Sequence, residues 1–179
     1  MKGAQEYAPS EGRTPTLVRM IDVEPQEVEW LWYPYIPIGK LTILEGDPGL
    51  GKTFIALTIT AIITKGDPFL DQSGKPSVKL PVGNVVYLSA EDGLADTLRP
   101  RLDAADADVN RVFALTGWRE TVEGQEAEGL VSLADTDLLR KTLEKTKPIL
   151  LIVDPLQAFL GADVDMHRAN EVRPLLYGL

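Results

Sequence analysis

The chain has 179 residues, 44% of them hydrophobic and 25% charged, the balance of one soluble globular domain rather than of a disordered or fibrous chain. It contains no cysteine and a single histidine, His167, which excludes disulfides, thiolate zinc sites and cysteine nucleophiles and leaves hard, oxygen-binding ions as the metals to expect. A formal net charge of −9 removes any overall attraction for nucleic acid, so contact with it would need a local basic groove or an oligomeric pore.

Residues 1–16 read as polar linker without the basic-then-apolar profile of a signal peptide, and no apolar run is long enough to cross a bilayer. A cytoplasmic location with no membrane partner is the expectation. Residues 1–29 are assigned to an N-terminal extension and 30–179 to a core. The core opens on Trp30-Leu31-Trp32-Tyr33-Pro34-Tyr35-Ile36-Pro37, aromatics broken by prolines, which suits an extended lead-in. Core packing is the reading preferred for these rings over a base-stacking platform. Residues 41–45, Leu-Thr-Ile-Leu-Glu between Gly39 and Gly46, predict a buried strand. Residues 52–65 are apolar on every side and predict a helix covered on both faces, stopped at Gly66. Residues 67–83, with three prolines and two glycines after Asp67, predict a long loop with freedom to move.

A second strand is predicted at 84–89, and a helix at 94–105 in which Pro100 imposes a kink or a late start. A third strand follows at 111–115, an acidic loop at 120–129, a helix at 135–145 and a wholly apolar strand at 149–153. The stretch 168–177 is compatible with a helix interrupted at Pro174. Strands alternating with helices imply βαβ units and a mainly parallel sheet, with chemistry at the carboxyl ends of its strands.

Gly46-Asp47-Pro48-Gly49-Leu50-Gly51-Lys52-Thr53 fits G-x-x-x-x-G-K-[ST] at every fixed position, and it lies between a predicted strand and a predicted helix. Glycines let the backbone wrap phosphate oxygens, so that amide groups and the helix N-terminus face the anion. Lys52 would reach the β- and γ-phosphates, and the Thr53 hydroxyl would ligate Mg²⁺. The nucleotide-binding stretch is expected to run from Gly46 through Phe54, with ATP and Mg²⁺ as its ligands. The competing reading as a chance glycine-rich turn is the weaker one, given the flanking pattern. A dinucleotide fingerprint fails, because Phe54 stands where G-x-G-x-x-G needs its last glycine.

Asp154 ends the apolar strand roughly 100 residues later and can hold the Mg²⁺ hydration shell from across the sheet; alone, such an aspartate would only mark a loop. The third element is Val85-Val86-Tyr87-Leu88-Ser89-Ala90-Glu91-Asp92-Gly93, which places Glu91 just past a strand end on the same rim. A carboxylate there could orient the attacking water, with Asp92 as the alternative and a helix-capping or solvated acidic pair as the bland reading.

These elements resemble the RecA-like ATPases of the RepA-type AAA group of plasmids and prophages, relatives of hexameric replicative helicases. The resemblance runs from about residue 30 to the end. Besides the glycine-rich motif, it is carried by Leu88-Ser89-Ala90-Glu91-Asp92-Gly93, Asp154-Pro155-Leu156-Gln157-Ala158-Phe159 and Arg168-Ala169-Asn170-Glu171-Val172-Arg173. It implies a three-layer α/β P-loop NTPase fold, with Lys52 and Thr53 on phosphate and Mg²⁺, Glu91 as catalytic glutamate and Asp154 as the second metal-side carboxylate.

Members of the group continue with a helix, a strand bearing a γ-phosphate sensor, and DNA-facing loops. By that comparison the sheet is incomplete at its C-terminal end, lacking a strand that the group places between the strands ending at Glu45 and Asp154. The sensor, the arginine finger and the DNA-binding loops are not carried over. Such a gap predicts that 41–45 and 149–154 either pair directly or drive self-association. The leading functional expectation is an ATPase module of a DNA-replication motor, a homo-oligomer reaching single-stranded DNA through its assembly. The alternative is a truncated nucleotide-binding or interaction protein with negligible turnover. A P-loop kinase would need an acceptor pocket and lid arginines that the sequence does not display.

Overall fold

An apolar strand is stable only when both its backbone edges and its side-chain faces find partners, and in the computed structural model that rule separates the strands that form from one that does not. The structure describes residues 14–77, 79–122 and 125–161. In chain order the elements are β1 (Trp30–Trp32), β2 (Ile36–Pro37), α1 (Lys52–Lys65), β3 (Asn84–Ser89), α2 (Arg99–Ala104), β4 (Val112–Ala114), β5 (Trp118–Val122), β6 (Gln125–Gly129), α3 (Thr136–Thr146) and β7 (Pro148–Asp154). The predicted helical stretch at 168–177 lies outside the described residues.

The central sheet is parallel, in the order β4-β3-β7. Side chains alternate across it with period 2, so each face has its own cover. Val86, Leu88, Leu151 and Val153 meet Leu133, Leu139, Phe159 and Leu160 on the α3 side. Val85, Tyr87, Leu150 and Ile152 meet Ile59, Ile63, Leu57, Leu98 and Leu102 on the side of α1 and α2. Helices on both faces of a parallel sheet make the expected three-layer α/β fold.

Helix α1 follows the predicted bounds. Gly66 ends it at φ +69°, with the Asp67 amide donating to the Ile62 carbonyl at 3.0 Å. A Cβ at Gly66 would lie 2.9 Å from the Leu80 carbonyl oxygen, so both the conformation and the close approach require glycine. The expectation of a helix covered on every side holds past its first turn only: Leu57 and Ile63 are fully buried, while Phe54 is 63% exposed. The predicted helix at 94–105 divides. A π-helical turn spans Leu94–Leu98 and the α-helix begins at Arg99, with Pro100 in its first turn, where the missing N–H breaks no helical bond.

Two expectations are corrected. Residues 41–45 form no strand: Leu41, Ile43 and Leu44 are 57%, 61% and 51% exposed, and of the two outcomes expected for this segment, direct pairing with β7 is not made. The two edges of β3 are taken by β4 and β7, and the far edge of β7 has no hydrogen-bonded neighbour among the described strands, so 41–45 leaves that edge unpaired. Apolar, β-branched composition cannot supply an absent partner. Residues 120–129 are not an irregular loop, because β5 and β6 form an antiparallel hairpin with Arg119 opposite Glu128 and Trp118 opposite Gly129. The stretch after α1 is a loop, as expected, with several tethers. Phe69 is buried, its ring stacks on Trp32 at 4.9 Å and 8°, the Trp32 indole donates to the Leu70 carbonyl, and the Asp71 carboxylate accepts from Ser73 and Lys75. Trp32 thus packs, as preferred over base stacking, while Tyr33 and Tyr35 are exposed.

Candidate phosphate-binding site

The loop from Gly46 to Gly51 uses the conformational freedom its glycines provide, with Gly49 and Gly51 at φ +81° and +84°. The Gly49 and Gly51 amides have no acceptor among the described residues. The first amides of α1 are unpaired in the way of every helix N-terminus, so the loop and the helix start together leave several donors without a partner. Lys52 Nζ donates to the carbonyls of Gly46 and Asp47 at 2.8 and 3.0 Å. Two of its three protons are used, and the third is available to an anion in the cradle. Asp47, Pro48 and Leu50 shape the loop, with the Leu50 amide directed at the Asp47 carbonyl at 3.4 Å.

The carboxylate half of the site reaches the loop from across the sheet. Thr53 Oγ1 donates to Asp154 Oδ2 at 2.9 Å, joining residues 101 apart in sequence. The Tyr87 hydroxyl donates to the same oxygen at 3.0 Å. Burial, and then the negative charge of Asp154, push the Tyr87 phenol well above its ordinary range, so it remains a neutral donor. Residues 87, 152 and 154 meet because Tyr87 pairs with Ile152 and Ser89 with Asp154, which sends both side chains toward α1. Tyr87 was missed in the sequence reading; its signal was parity, two residues before Ser89 on the strand face turned to the helix.

Glu91 and Asp92 part company. The Ala90 amide continues the ladder to the Asp154 carbonyl at 3.4 Å, so Glu91 follows immediately on the same rim. Glu91 is exposed and has no hydrogen-bond or ion-pair partner among the described residues. Asp92 is committed: its carboxylate accepts from Arg101 Nη1 at 3.0 Å and its amide approaches Ser89 Oγ at 3.3 Å. Of the two, Glu91 is the carboxylate free to meet a water.

The donor set fits a hard divalent ion. Thr53 hydroxyl and Asp154 carboxylate are adjacent oxygen donors beside the glycine-rich loop, and hard oxygen donors of this kind suit Mg²⁺, which keeps most of its waters. Phe54 stands next to Thr53 with its ring under the Arg101 guanidinium, 5.6 Å from the ring centre. Among the described residues no helix is long and apolar enough to cross a membrane.

Residues 7 to 179 match a family model described as an AAA domain. No curated protein and no solved structure matches the chain.

Proposed function

The chain belongs to the AAA domain family, and from that premise we propose that it binds ATP with Mg²⁺ and hydrolyses it, as a motor module of the RepA type working on DNA within a homo-oligomer. The observation that carries the nucleotide reading is the 2.9 Å contact between Thr53 and Asp154, which sets two hard oxygen donors beside a loop with unpaired amides. Bound Mg²⁺ would supply charge neutralisation between the phosphate oxygens. Thr53 and Asp154 would hold it, Tyr87 fixes the Asp154 carboxylate, and Lys52 would place its charge on the phosphates. Glu91, unpaired on the rim, orients a water and accepts its proton.

Self-association is the reading that the exposed 41–45 segment and the open edge of β7 favour. Both present unpaired backbone and apolar side chains that a second copy could cover. Contact with single-stranded DNA belongs to the assembly, because a chain of net charge −9 does not attract it as a monomer.

Calorimetry with ADP and ATP, with and without Mg²⁺, tests the binding. Affinity equal in wild type and Lys52→Ala would refute it. Steady-state hydrolysis with and without single-stranded DNA tests the motor. Glu91→Gln is expected to keep nucleotide affinity and lose turnover, and loss in Asp92→Asn instead would move the assignment by one residue. Sedimentation across a concentration series tests association, and a stable monomer at every concentration would remove the oligomer reading.

A further inference from the structure

Arg101 makes two contacts that the nucleotide reading leaves unused. It sits in α2 but reaches back over the turn that precedes the helix. Its Nη1 donates to Asp92 Oδ2 at 3.0 Å, and its guanidinium carbon lies 5.6 Å from the centre of the Phe54 ring. Asp92 belongs to the loop after β3, next to Glu91. Phe54 belongs to the first turn of α1, next to Thr53. The ion pair is half shielded, with the side chains of Arg101 and Asp92 37% and 24% exposed. The Asp92 loop is gathered further by Ser89, whose hydroxyl lies 3.3 Å from the Asp92 amide.

We propose that Arg101 is a positioning residue that ties the Glu91 loop to the phosphate-binding turn of α1, so that Glu91 and the cradle keep one geometry. The guanidinium suits this task because it can give a directed hydrogen bond to a carboxylate while its flat face lies on an aromatic ring. Without it, residues 90–92 are held by the Ala90 amide and the Ser89 hydroxyl, both at long hydrogen-bond distances of 3.3–3.5 Å, while Gly93 after them is anchored through its carbonyl by the Thr97 and Leu98 amides. The tie rests on the reading of Glu91 as the water-orienting carboxylate, but its mechanical part stands without nucleotide.

The test is backbone hydrogen exchange over residues 89–94 of the full chain, free and with ADP·Mg²⁺, together with nucleotide Kd and kcat. In Arg101→Ala, exchange in this segment should rise about threefold to tenfold, the scale of one half-exposed ion pair plus one cation–π contact. Exchange in the β5–β6 hairpin should not change. Kd should stay within about twofold while kcat falls about tenfold or more, because Arg101 makes no hydrogen bond or ion pair with Lys52, Thr53 or Asp154. Arg101→Lys, which retains the charge without the flat face, should recover part of both effects. Asp92→Ala and Phe54→Leu remove the two partners singly and give intermediate values, and they decide the matter if Arg101→Ala does not fold. Unchanged exchange in Arg101→Ala, a lysine variant no better than alanine, or a raised Kd with unchanged kcat would each overturn the proposal. Absence of nucleotide binding in the wild type would instead overturn the ATP reading, and the tie would then be judged by exchange in the free chain.

Discussion

Residues 41–44 and 149–153 have much the same composition, and each leads directly into a functional group, the glycine-rich loop in one case and Asp154 in the other. Their fates are opposite. The second pairs with β3 at Leu150, Leu151, Ile152 and Val153 and packs on both faces. The first pairs with nothing and leaves Leu41, Ile43 and Leu44 more than half exposed. Hydrophobic sequence nominates a strand, but a ladder of backbone bonds decides it. For the site, the carboxylate half is fixed by the sheet, whereas the phosphate loop is fixed from its downstream side, by α1 and by Lys52.

The comparison predicts unequal costs for equal truncations. Leu88→Ala, at a fully buried β3 position, should cost about 2–5 kcal/mol of stability by chemical denaturation. Ile43→Ala should cost under about 0.5 kcal/mol. Similar costs at the two positions would show that 41–45 is covered in solution, and a second copy of the chain is then the first candidate to look for.

Next in size is Lys52→Ala. A charge-assisted hydrogen bond contributes about 1.5–3 kcal/mol, so affinity for ADP·Mg²⁺ should fall about 10-fold to 150-fold by calorimetry. The variant also frees the Gly46 and Asp47 carbonyls. Since their segment has no ladder to lose, the melting temperature should move little, and a large drop would break the division between the two halves.

The smallest effect is expected at Tyr87→Phe, which removes one hydrogen bond to Asp154 and keeps the ring. About 1 kcal/mol is at stake. It should appear as an increase of about threefold to fivefold in the Mg²⁺ concentration that half-saturates nucleotide binding, with Kd at saturating Mg²⁺ nearly unchanged. Equal loss at every Mg²⁺ concentration would mean that Tyr87 supports the fold and not the carboxylate.

Much of this was legible in the sequence because its signals are local. The glycine-rich motif, the apolar run of α1 with Gly66 after it, and the strands ending near Ser89 and at Asp154 all declare themselves within a few residues. Thr53 and Asp154 were each singled out in the sequence as metal-side oxygens, but their direct hydrogen bond is seen only in the fold. What escaped depends on distant partners. The lack of a ladder at 41–45 is a property of the neighbours of β7. The β5–β6 hairpin hid behind acidic residues, since Glu120, Glu126 and Glu128 read as solvated loop until Arg119 is set opposite Glu128. Phe69 was one aromatic in a proline-rich loop, and only the lead-in hairpin gives it a face to rest on. Tyr87 needed the strand register and the helix above it at once.

The stacking of Trp32 on Phe69 has an optical consequence. Of the three tryptophans, Trp32 has its indole against a parallel aromatic ring with its N–H bonded to the Leu70 carbonyl, while Trp30 sits edge-on to Tyr33 and Trp118 belongs to the hairpin. Undocking of the lead-in from the loop after α1 would carry that chromophore into water and shift its emission to longer wavelength, so the chain contains its own fluorescent gauge of how firmly its first strands are seated. Replacing Trp30 and Trp118 by phenylalanine would leave that gauge as the single emitter.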